Sequence, residues 1–488
     1  MFWACGGVLV MNITIALPEI FLLSTICLIL LLGVFLRENC RMVTYLLTQV
    51  ALLATALLAY SAMDGEKVTG LNGMYVRDDL AGVLKISILL LTFSVFVYAR
   101  KYLKDRDIWV NEFFLLALFA VLGMLVMVSA NHLLVIYLGL ELLALSMYAL
   151  VAFNRDDGRS SEAAMKYFVL GALASGLLLY GISILYGLSG KLEFTEVLVY
   201  INAQNVLENI PLLFALVFIV AGIAFKFGAV PFHMWVPDVY QGAPTAVTMF
   251  LGSVPKLAAL AMLLRVLAES MGAAQPGWAQ LLLVFGLLSV FLGNLIAIAQ
   301  LNLKRMLAYS TIAHMGFILL GALTGTTEGY SAALFYTITY AMMAAGSFAI
   351  LILLGRTGFE AETLDDLKGL NERNPWYAFI MMTFLFSMAG IPPTVGFYAK
   401  LSIIQSVMQA GYLWPAVFMV VMSVIGAYYY LRAIKMMYFD KPEQTAPIQA
   451  ELDFKVLISV NGVLMVLLGL FPSALMGICS AAMVASRL

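Results

Sequence analysis

Fourteen apolar stretches, each near the ~20 residues that a helix needs to cross a bilayer, fill this chain and decide its fold class. They run approximately over 14–36, 42–62, 79–99, 112–129, 131–153, 163–187, 210–230, 245–266, 278–300, 305–323, 330–354, 376–410, 412–438 and 456–483. A soluble chain carries about a quarter charged residues; here 11% are charged and 63% are hydrophobic. Lipid cannot bond a free backbone N–H or C=O, so spans of this length must be helices. The expectation is an all-α polytopic membrane protein of about 14 transmembrane helices. Its short loops leave no room for a soluble catalytic domain.

Orientation follows from the basic residues. Loops joining an odd span to the next even one hold seventeen Lys and Arg residues, from Arg37 to Lys455. The opposite set holds only Lys67, Arg77, Lys191 and Arg487. The richer side is expected to be cytoplasmic, with both termini on the other side. The net charge of −1 says nothing about partners. Cys5, Cys27, Cys40 and Cys479 lack metal-ligand spacing and read as small apolar residues in or beside helices. Residues 1–10 look like neither a strong signal peptide nor a separate span, and Met11 is the more ordinary start.

Spans 4–8 and 9–13 read as two copies of one five-helix unit. In each, the fourth helix is interrupted by glycine and proline. Span 7 contains Ala221-Gly-Ile-Ala-Phe-Lys226-Phe-Gly-Ala-Val-Pro231-Phe-His233, and span 12 contains Ala389-Gly-Ile-Pro392-Pro393-Thr-Val-Gly396-Phe-Tyr-Ala-Lys400. The shared Ala-Gly-Ile runs lie 168 residues apart, each with a lysine nearby. Five is odd, so the copies are inverted in the membrane, the logic of ion-coupled transporters whose paired broken helices mark the working site. A broken helix exposes backbone that lipid cannot satisfy, so it must line an enclosed cavity. The expected divisions are a three-helix segment over 1–110, the first inverted repeat over 111–270, the second over 271–440 and a C-terminal helix over 441–488.

Glu141, in Tyr137-Leu-Gly-Leu-Glu141-Leu-Leu-Ala-Leu-Ser146, reads as the one acid deep inside a span. A charge at the bilayer centre costs roughly 2.5–3.5 kcal/mol on insertion scales, and such groups pair and mark ion or proton paths. Lys166, Lys226, Lys256 and Lys400 are the bases at comparable depth, although Lys166 is near enough to the cytoplasmic loop to snorkel. A Glu141–Lys226 pair of variable spacing can switch a lysine between neutral and charged; a static packing ion pair is the alternative. Lys256 follows Pro255, which should loosen span 8. Lys85 has no visible partner and is assigned to snorkelling or a local helix contact. His233 and His314 lie where a proton relay is expected to run, and an imidazole hydrogen-bonded between helices fits equally. His132 reads as an interface residue. Three separated histidines make no metal site. No P-loop, no CxxC and no GxGxxG after a strand occurs, so redox cofactors are expected on other chains.

The run Lys226-Phe-Gly-Ala-Val-Pro-Phe-His233-Met-Trp-Val-Pro-Asp238-Val-Tyr-Gln-Gly-Ala-Pro244, the run from Asn302 through Tyr309 to His314-Met-Gly, and the Glu141 segment resemble the subunit N family of respiratory complex I, the proton-pumping NADH:quinone oxidoreductase. The resemblance spans essentially the whole chain. Related antiporter-like subunits L and M and Mrp-type Na⁺/H⁺ antiporters carry a histidine in span 8, a terminal glutamate in place of Lys400, or an added lateral helix, none of which fits here. The resemblance implies an acid at Glu141, a pumping lysine at Lys226, a connecting lysine at Lys256, a terminal lysine at Lys400 and a further lysine at Lys166. It implies a translocase subunit that moves protons while FMN, iron–sulfur clusters, NADH and quinone sit on other subunits. Subunits M and K, the lateral helix of subunit L and the lipid bilayer are the implied partners, with no nucleic acid. A bacterial inner (plasma) membrane is the implied location. Two alternatives stay open: an Mrp-type Na⁺/H⁺ antiporter subunit, and a non-pumping scaffold whose buried charges only hold neighbours.

Overall fold

A computed structural model describes residues 13–35, 41–443 and 447–487. The positions Cys5, Cys40, Met1, Met11 and Arg37 lie outside the described residues. The elements in chain order are α1 (Leu17–Phe35), α2 (Arg41–Ser61), a hairpin of β1 (Val68–Gly70) and β2 (Tyr75–Arg77), and α3 (Asp79–Asp105). Next come α4 (Asn111–Val128), α5 (Leu133–Val151), α6 (Gly158–Ser189), α7 (Phe194–Asn202), α8 (Ile210–Phe227) and α9 (Trp235–Gly242). They are followed by α10 (Thr245–Ser253), α11 (Pro255–Leu263) with a π-helical continuation over Leu264–Ser270, α12 (Gln275–Ala299), α13 (Leu303–Ala322) and α14 (Thr327–Leu354). The chain closes with α15 (Leu370–Arg373), α16 (Pro375–Ala389), α17 (Val395–Gln409), α18 (Leu413–Phe439), α19 (Leu452–Leu470) and α20 (Ser473–Ala485).

Among the described residues, 12 helical segments are long and apolar enough to cross a membrane. The other two expected spans are α13, which carries Lys304, Arg305 and His314, and the broken pair α16–α17. The last span, expected to be continuous over 456–483, is instead split: α19 stops at Leu470 and α20 restarts at Ser473. Pro472 between them has no N–H to continue the ladder.

Contacts between loops sort by membrane side as the span alternation requires. At the lysine-poor end, Arg265 pairs with Asp78, Lys67 with Glu269, and the hairpin meets Ala130 through Tyr75. At the lysine-rich end, Arg106 pairs with Glu360, Lys304 with Glu362 and Lys368 with Glu443. Helices α10–α11 and α14 are almost wholly enclosed by protein and pack on each other and on α3.

Each repeat opens with two helices in direct backbone contact. A Cβ on Gly123 of α4 would meet the Gly139 carbonyl of α5 at 2.6 Å, and one on Gly139 would meet the Gly123 carbonyl at 2.8 Å. In the second repeat the reciprocal pair is Gly286 on α12 and Gly316 on α13, at 3.2 and 2.7 Å. Small residues let membrane helices approach this closely.

The breaks align differently from the Ala-Gly-Ile runs. Helix α8 passes through Ala221-Gly222-Ile223 without interruption and ends at Phe227. Its capping glycine is Gly228, at φ 73°, and its counterpart in span 12 is Gly390, at φ 85°. Only glycine adopts this left-handed geometry freely, and a proline follows each three residues on, at Pro231 and Pro393.

Candidate functional site

Ending a helix inside the membrane leaves its last carbonyls without partners from the same helix. At both breaks the turn bonds some of them. The Gly228 and Ala229 amides return to carbonyls of α8, and the Gly390 and Ile391 amides to Phe386 of α16. The carbonyl just before each capping glycine is then met by a lysine. Lys256 Nζ, on α11, donates to Phe227 O at 3.1 Å and more weakly to Lys226 O at 3.4 Å. Lys400 Nζ, on α17, donates to Ala389 O at 2.9 Å. A cation at a helix C-terminus is also favoured by the helix dipole. Each ammonium faces one aromatic ring, Trp235 at 5.5 Å for Lys256 and Phe317 at 5.4 Å for Lys400, close enough for a cation–π contribution. Lys256 and Lys400 are therefore the structural counterparts at the two breaks. In sequence, the lysines nearest the two Ala-Gly-Ile runs are Lys226 and Lys400.

Lys226 sits two residues before its break and is half-buried, its Nζ 5.6 Å from the Phe225 ring centre. Among the described residues no ion pair joins it to Glu141, although the two are within electrostatic reach. Glu141 is half-buried on α5, and its Oε1 has no hydrogen-bond partner among the described residues. A cavity of about 20 Å³ touches both Lys226 and Lys256 beside Tyr167 and Trp235. A space of roughly 10–15 Å³ already holds one water, so the cavity has room for one.

A second polar cluster lies around α13 and α14. His314 joins Tyr336 through Nδ1 at 2.7 Å and Tyr430 through Nε2 at 3.1 Å. Ser310 bonds Tyr430, and the Tyr340 hydroxyl donates to Thr311 Oγ1 at 2.7 Å. His314 is also within electrostatic reach of Lys400. None of these hydroxyl groups was singled out from the sequence. The available signal was Tyr336 and Tyr340, one turn apart within a membrane span. His233 lies in the first break, half-buried, with its Nδ1 unpartnered among the described residues. His132 caps α5, its Nδ1 accepting from Leu134 N at 3.2 Å.

Lys166 is not at the midline. Its side chain is 43% exposed and pairs with Glu162 and Asp238, each at 2.9 Å, near Arg305 at the lysine-rich end. Lys85 does have a partner. Its Nζ lies 2.7 Å from Glu19 Oε1, with both side chains buried. Glu19 is thus a second acid buried within a span, in the first turn of α1. The Tyr75 hydroxyl stands 3.5 Å from the same Nζ. Asp78 and Arg265 form a bidentate buried pair at 2.7 and 2.8 Å. Burial alone would raise the Asp78 carboxyl, but the Arg265 guanidinium outweighs it and holds the group at about 2. No group of three or more metal-ligating side chains occurs among the described residues.

Residues 130–426 match the family described as NADH:quinone oxidoreductase/Mrp antiporter, TM. The chain is 54% identical over 466 residues to NADH-quinone oxidoreductase subunit N of Thioalkalivibrio sulfidiphilus (strain HL-EbGR7), covering 96% of this chain and 97% of that protein. A chain of respiratory complex I from Thermus thermophilus with bound aureothin superposes with a TM-score of 0.82 at 32% identity, over 95% of this chain and 100% of that one. A chain of the Mrp complex from Dietzia sp. DQ12-45-1b superposes with a TM-score of 0.84 at 20% identity, over 98% of each, a likeness of fold alone.

Proposed function

The chain belongs to the NADH:quinone oxidoreductase/Mrp antiporter family of membrane proteins, and on that footing we propose that it is a proton-translocating membrane-arm subunit of an NADH:quinone oxidoreductase. The observation that carries the reading is the matched pair of lysine-capped breaks, Lys256 on Phe227 O and Lys400 on Ala389 O. A lysine held by carbonyls and an aromatic face, with no carboxylate clamped to it, can lose and regain a proton without tearing a buried ion pair. Protons pass along Glu141, Lys226, Lys256, His314 and Lys400, with His233 beside the first break and Lys166 at the aqueous end. One water between Lys226 and Lys256 bridges the first two bases. The Tyr336, Tyr340 and Tyr430 hydroxyls flank His314 on the way to Lys400.

Electron transfer belongs to other subunits, which hold FMN, iron–sulfur clusters, NADH and quinone. Subunits M and K and the lateral helix of subunit L are the proposed neighbours. The location is a bacterial inner membrane with both termini on the periplasmic side. The chain divides into a three-helix segment over 1–110, inverted repeats over 111–270 and 271–440, and a C-terminal part over 441–488 that holds the two helices α19 and α20.

The test is NADH-driven proton uptake into inverted membrane vesicles that carry Lys226→Ala, at matched amounts of assembled complex. Loss of quinone reduction together with uptake supports an obligatorily coupled path. Normal turnover with normal uptake reduces Lys226 to a packing residue. Co-purification with peripheral NADH-oxidising subunits separates this reading from an Mrp-type antiporter, whose transport is driven by an ion gradient.

A further inference from the structure

An apolar cavity of about 300 Å³ lies between α3, α11, α14 and α19, walled by Leu91, Leu257, Ile338, Met342 and Leu464 among others. An apolar cavity of about 150 Å³ already takes up benzene, so this one has room for a longer molecule. Its α3 wall runs from Ser87 through Leu91 and Ser94 to Tyr98, in steps of four, three and four residues that keep to one helix face. At 1.5 Å per residue that face is about 16 Å long. Two further wall residues, Leu90 of α3 and Val460 of α19, are exposed on the outer surface of the bundle. The cavity therefore opens sideways between α3 and α19, toward the bilayer. At the lysine-rich end the Tyr98 ring meets Phe454 edge to face, with ring centres 5.2 Å apart, and stands between the cavity and the loops.

Four polar side chains reach this wall: Ser87, Ser94, Tyr98 and Asn461. Two are satisfied by their own helix, Ser87 Oγ donating to Val83 O at 2.7 Å and Ser94 Oγ to Leu90 O at 3.0 Å. The other two are not, although Tyr98 is only 1% exposed and Asn461 8%. Asn461 Nδ2 donates to Met342 O at 3.1 Å, which leaves its Oδ1 open. The Tyr98 hydroxyl and the Asn461 amide are close enough to act on each other. Yet neither the hydroxyl nor Oδ1 completes a hydrogen bond among the described residues. A buried tyrosine hydroxyl ordinarily finds a partner, and hydrocarbon tails supply none.

Helix position sets the depth of these two groups. Tyr98 lies seven residues before the end of α3 and Asn461 nine after the start of α19, and both of those helix ends are on the lysine-rich side. At 1.5 Å per residue the two groups stand about 10–14 Å below it. A phosphate or ammonium head at that depth would leave water with nothing to meet its charge, since among the described residues no charged side chain lines the cavity. The group that fits accepts from the Tyr98 hydroxyl and donates to Asn461 Oδ1. An uncharged hydroxyl does both.

We propose that this cavity binds a membrane-dissolved lipid with a hydroxyl head, its oxygen bridging Tyr98 and Asn461 and its chain running toward Ser87. The ligand enters from the bilayer between Leu90 and Val460. An acylglycerol and a quinol both present this chemistry, and the test tells them apart. The site is independent of the proton path.

The test photolyses native membrane vesicles with dodecanol that carries a diazirine at the end remote from its hydroxyl. The chain is then isolated and its adducts are mapped by peptide mass spectrometry. Adducts are expected near Ser87 and Leu464, away from Tyr98. Unlabelled dodecanol should displace the label about tenfold better than dodecane, the selectivity of roughly one hydrogen bond. Tyr98→Phe keeps the ring against Phe454 and should abolish that preference while labelling persists. Displacement by a monoacylglycerol where decylubiquinol is inert identifies an acylglycerol as the ligand, and the reverse identifies a quinol; either result upholds the site. Adducts spread evenly over the outer helices overturn the proposal. So does equal displacement by dodecane in the wild-type chain, which would mean that Tyr98 and Asn461 satisfy each other and the cavity holds ordinary lipid tails. A preference for dodecanol that survives Tyr98→Phe overturns it as well.

Discussion

Replacing Lys85 by methionine strands the Glu19 carboxylate inside the protein. The two side chains are only 4% and 7% exposed and meet at 2.7 Å, so water cannot screen what remains. Removing one partner of such a pair costs about 3–5 kcal/mol, whereas replacing both by uncharged groups is often neutral or stabilising. Taking the lower end of that range, the expected cost of Lys85→Met is about 3 kcal/mol. At about 1.4 kcal/mol per tenfold change, that is a shift of roughly a hundredfold in the folding equilibrium. Glu19→Gln combined with Lys85→Met should regain most of the loss. Unfolding of the purified chain in mixed detergent micelles reads the difference, and the amount of assembled complex in membranes gives a second readout. A single variant within about 0.5 kcal/mol of wild type, the range of ordinary surface changes, would refute the reasoning. So would a double variant no better than the single.

Gly123→Ala and Gly316→Ala each drive a methyl group against a facing backbone carbonyl, at 2.6 and 2.7 Å. Each should cost about 1–3 kcal/mol by overpacking in the same unfolding assay. Gly176→Ala, which meets open space, should be neutral or stabilising by up to about 1 kcal/mol. Asp78 makes a further, pH-dependent contribution. Its carboxyl is held at about 2 against an ordinary 3.8, so it contributes roughly 2 kcal/mol of stability above pH 4, lost as the pH falls from about 4 to 2. Asp78→Asn should remove that acid limb from the unfolding profile. An unchanged limb would assign the acid lability elsewhere.

What was legible in the sequence is what the bilayer itself imposes. Hydrocarbon thickness sets the length of each helix, so the spans could be read from apolar runs, and the breaks from glycine and proline inside them. The register of the breaks could not be read this way. Ala-Gly-Ile recurs by composition, but in span 7 it stays helical, and only the left-handed turn at Gly228 marks the true counterpart of Gly390. The partners of Lys256 and Lys400 are backbone carbonyls, which have no signature in the sequence. Glu19 was overlooked because an acid in the first turn of a span is usually at the interface, whereas here α1 packs on α2 and α4 and Lys85 of α3 reaches the carboxylate inside the protein. Lys166 shows the reverse, since its nearness to a loop already pointed to the exposed position it takes. Tyr336, Tyr340 and Tyr430 became visible as a cluster only once α13, α14 and α18 were brought together around His314.

The central claim is that Lys256 carries a proton and does not merely cap the broken helix. Two substitutions separate these roles. Lys256→Met removes both the charge and the bond to Phe227 O, while Lys256→Arg keeps a charged donor that stays protonated at any physiological pH. The decisive measurement is protons taken up per NADH oxidised by inverted vesicles holding each variant, at equal amounts of assembled complex. If Lys256 carries protons, the arginine variant fails as completely as the methionine one. Uptake restored to wild-type level by arginine would leave Lys256 as a structural cap and contradict the account.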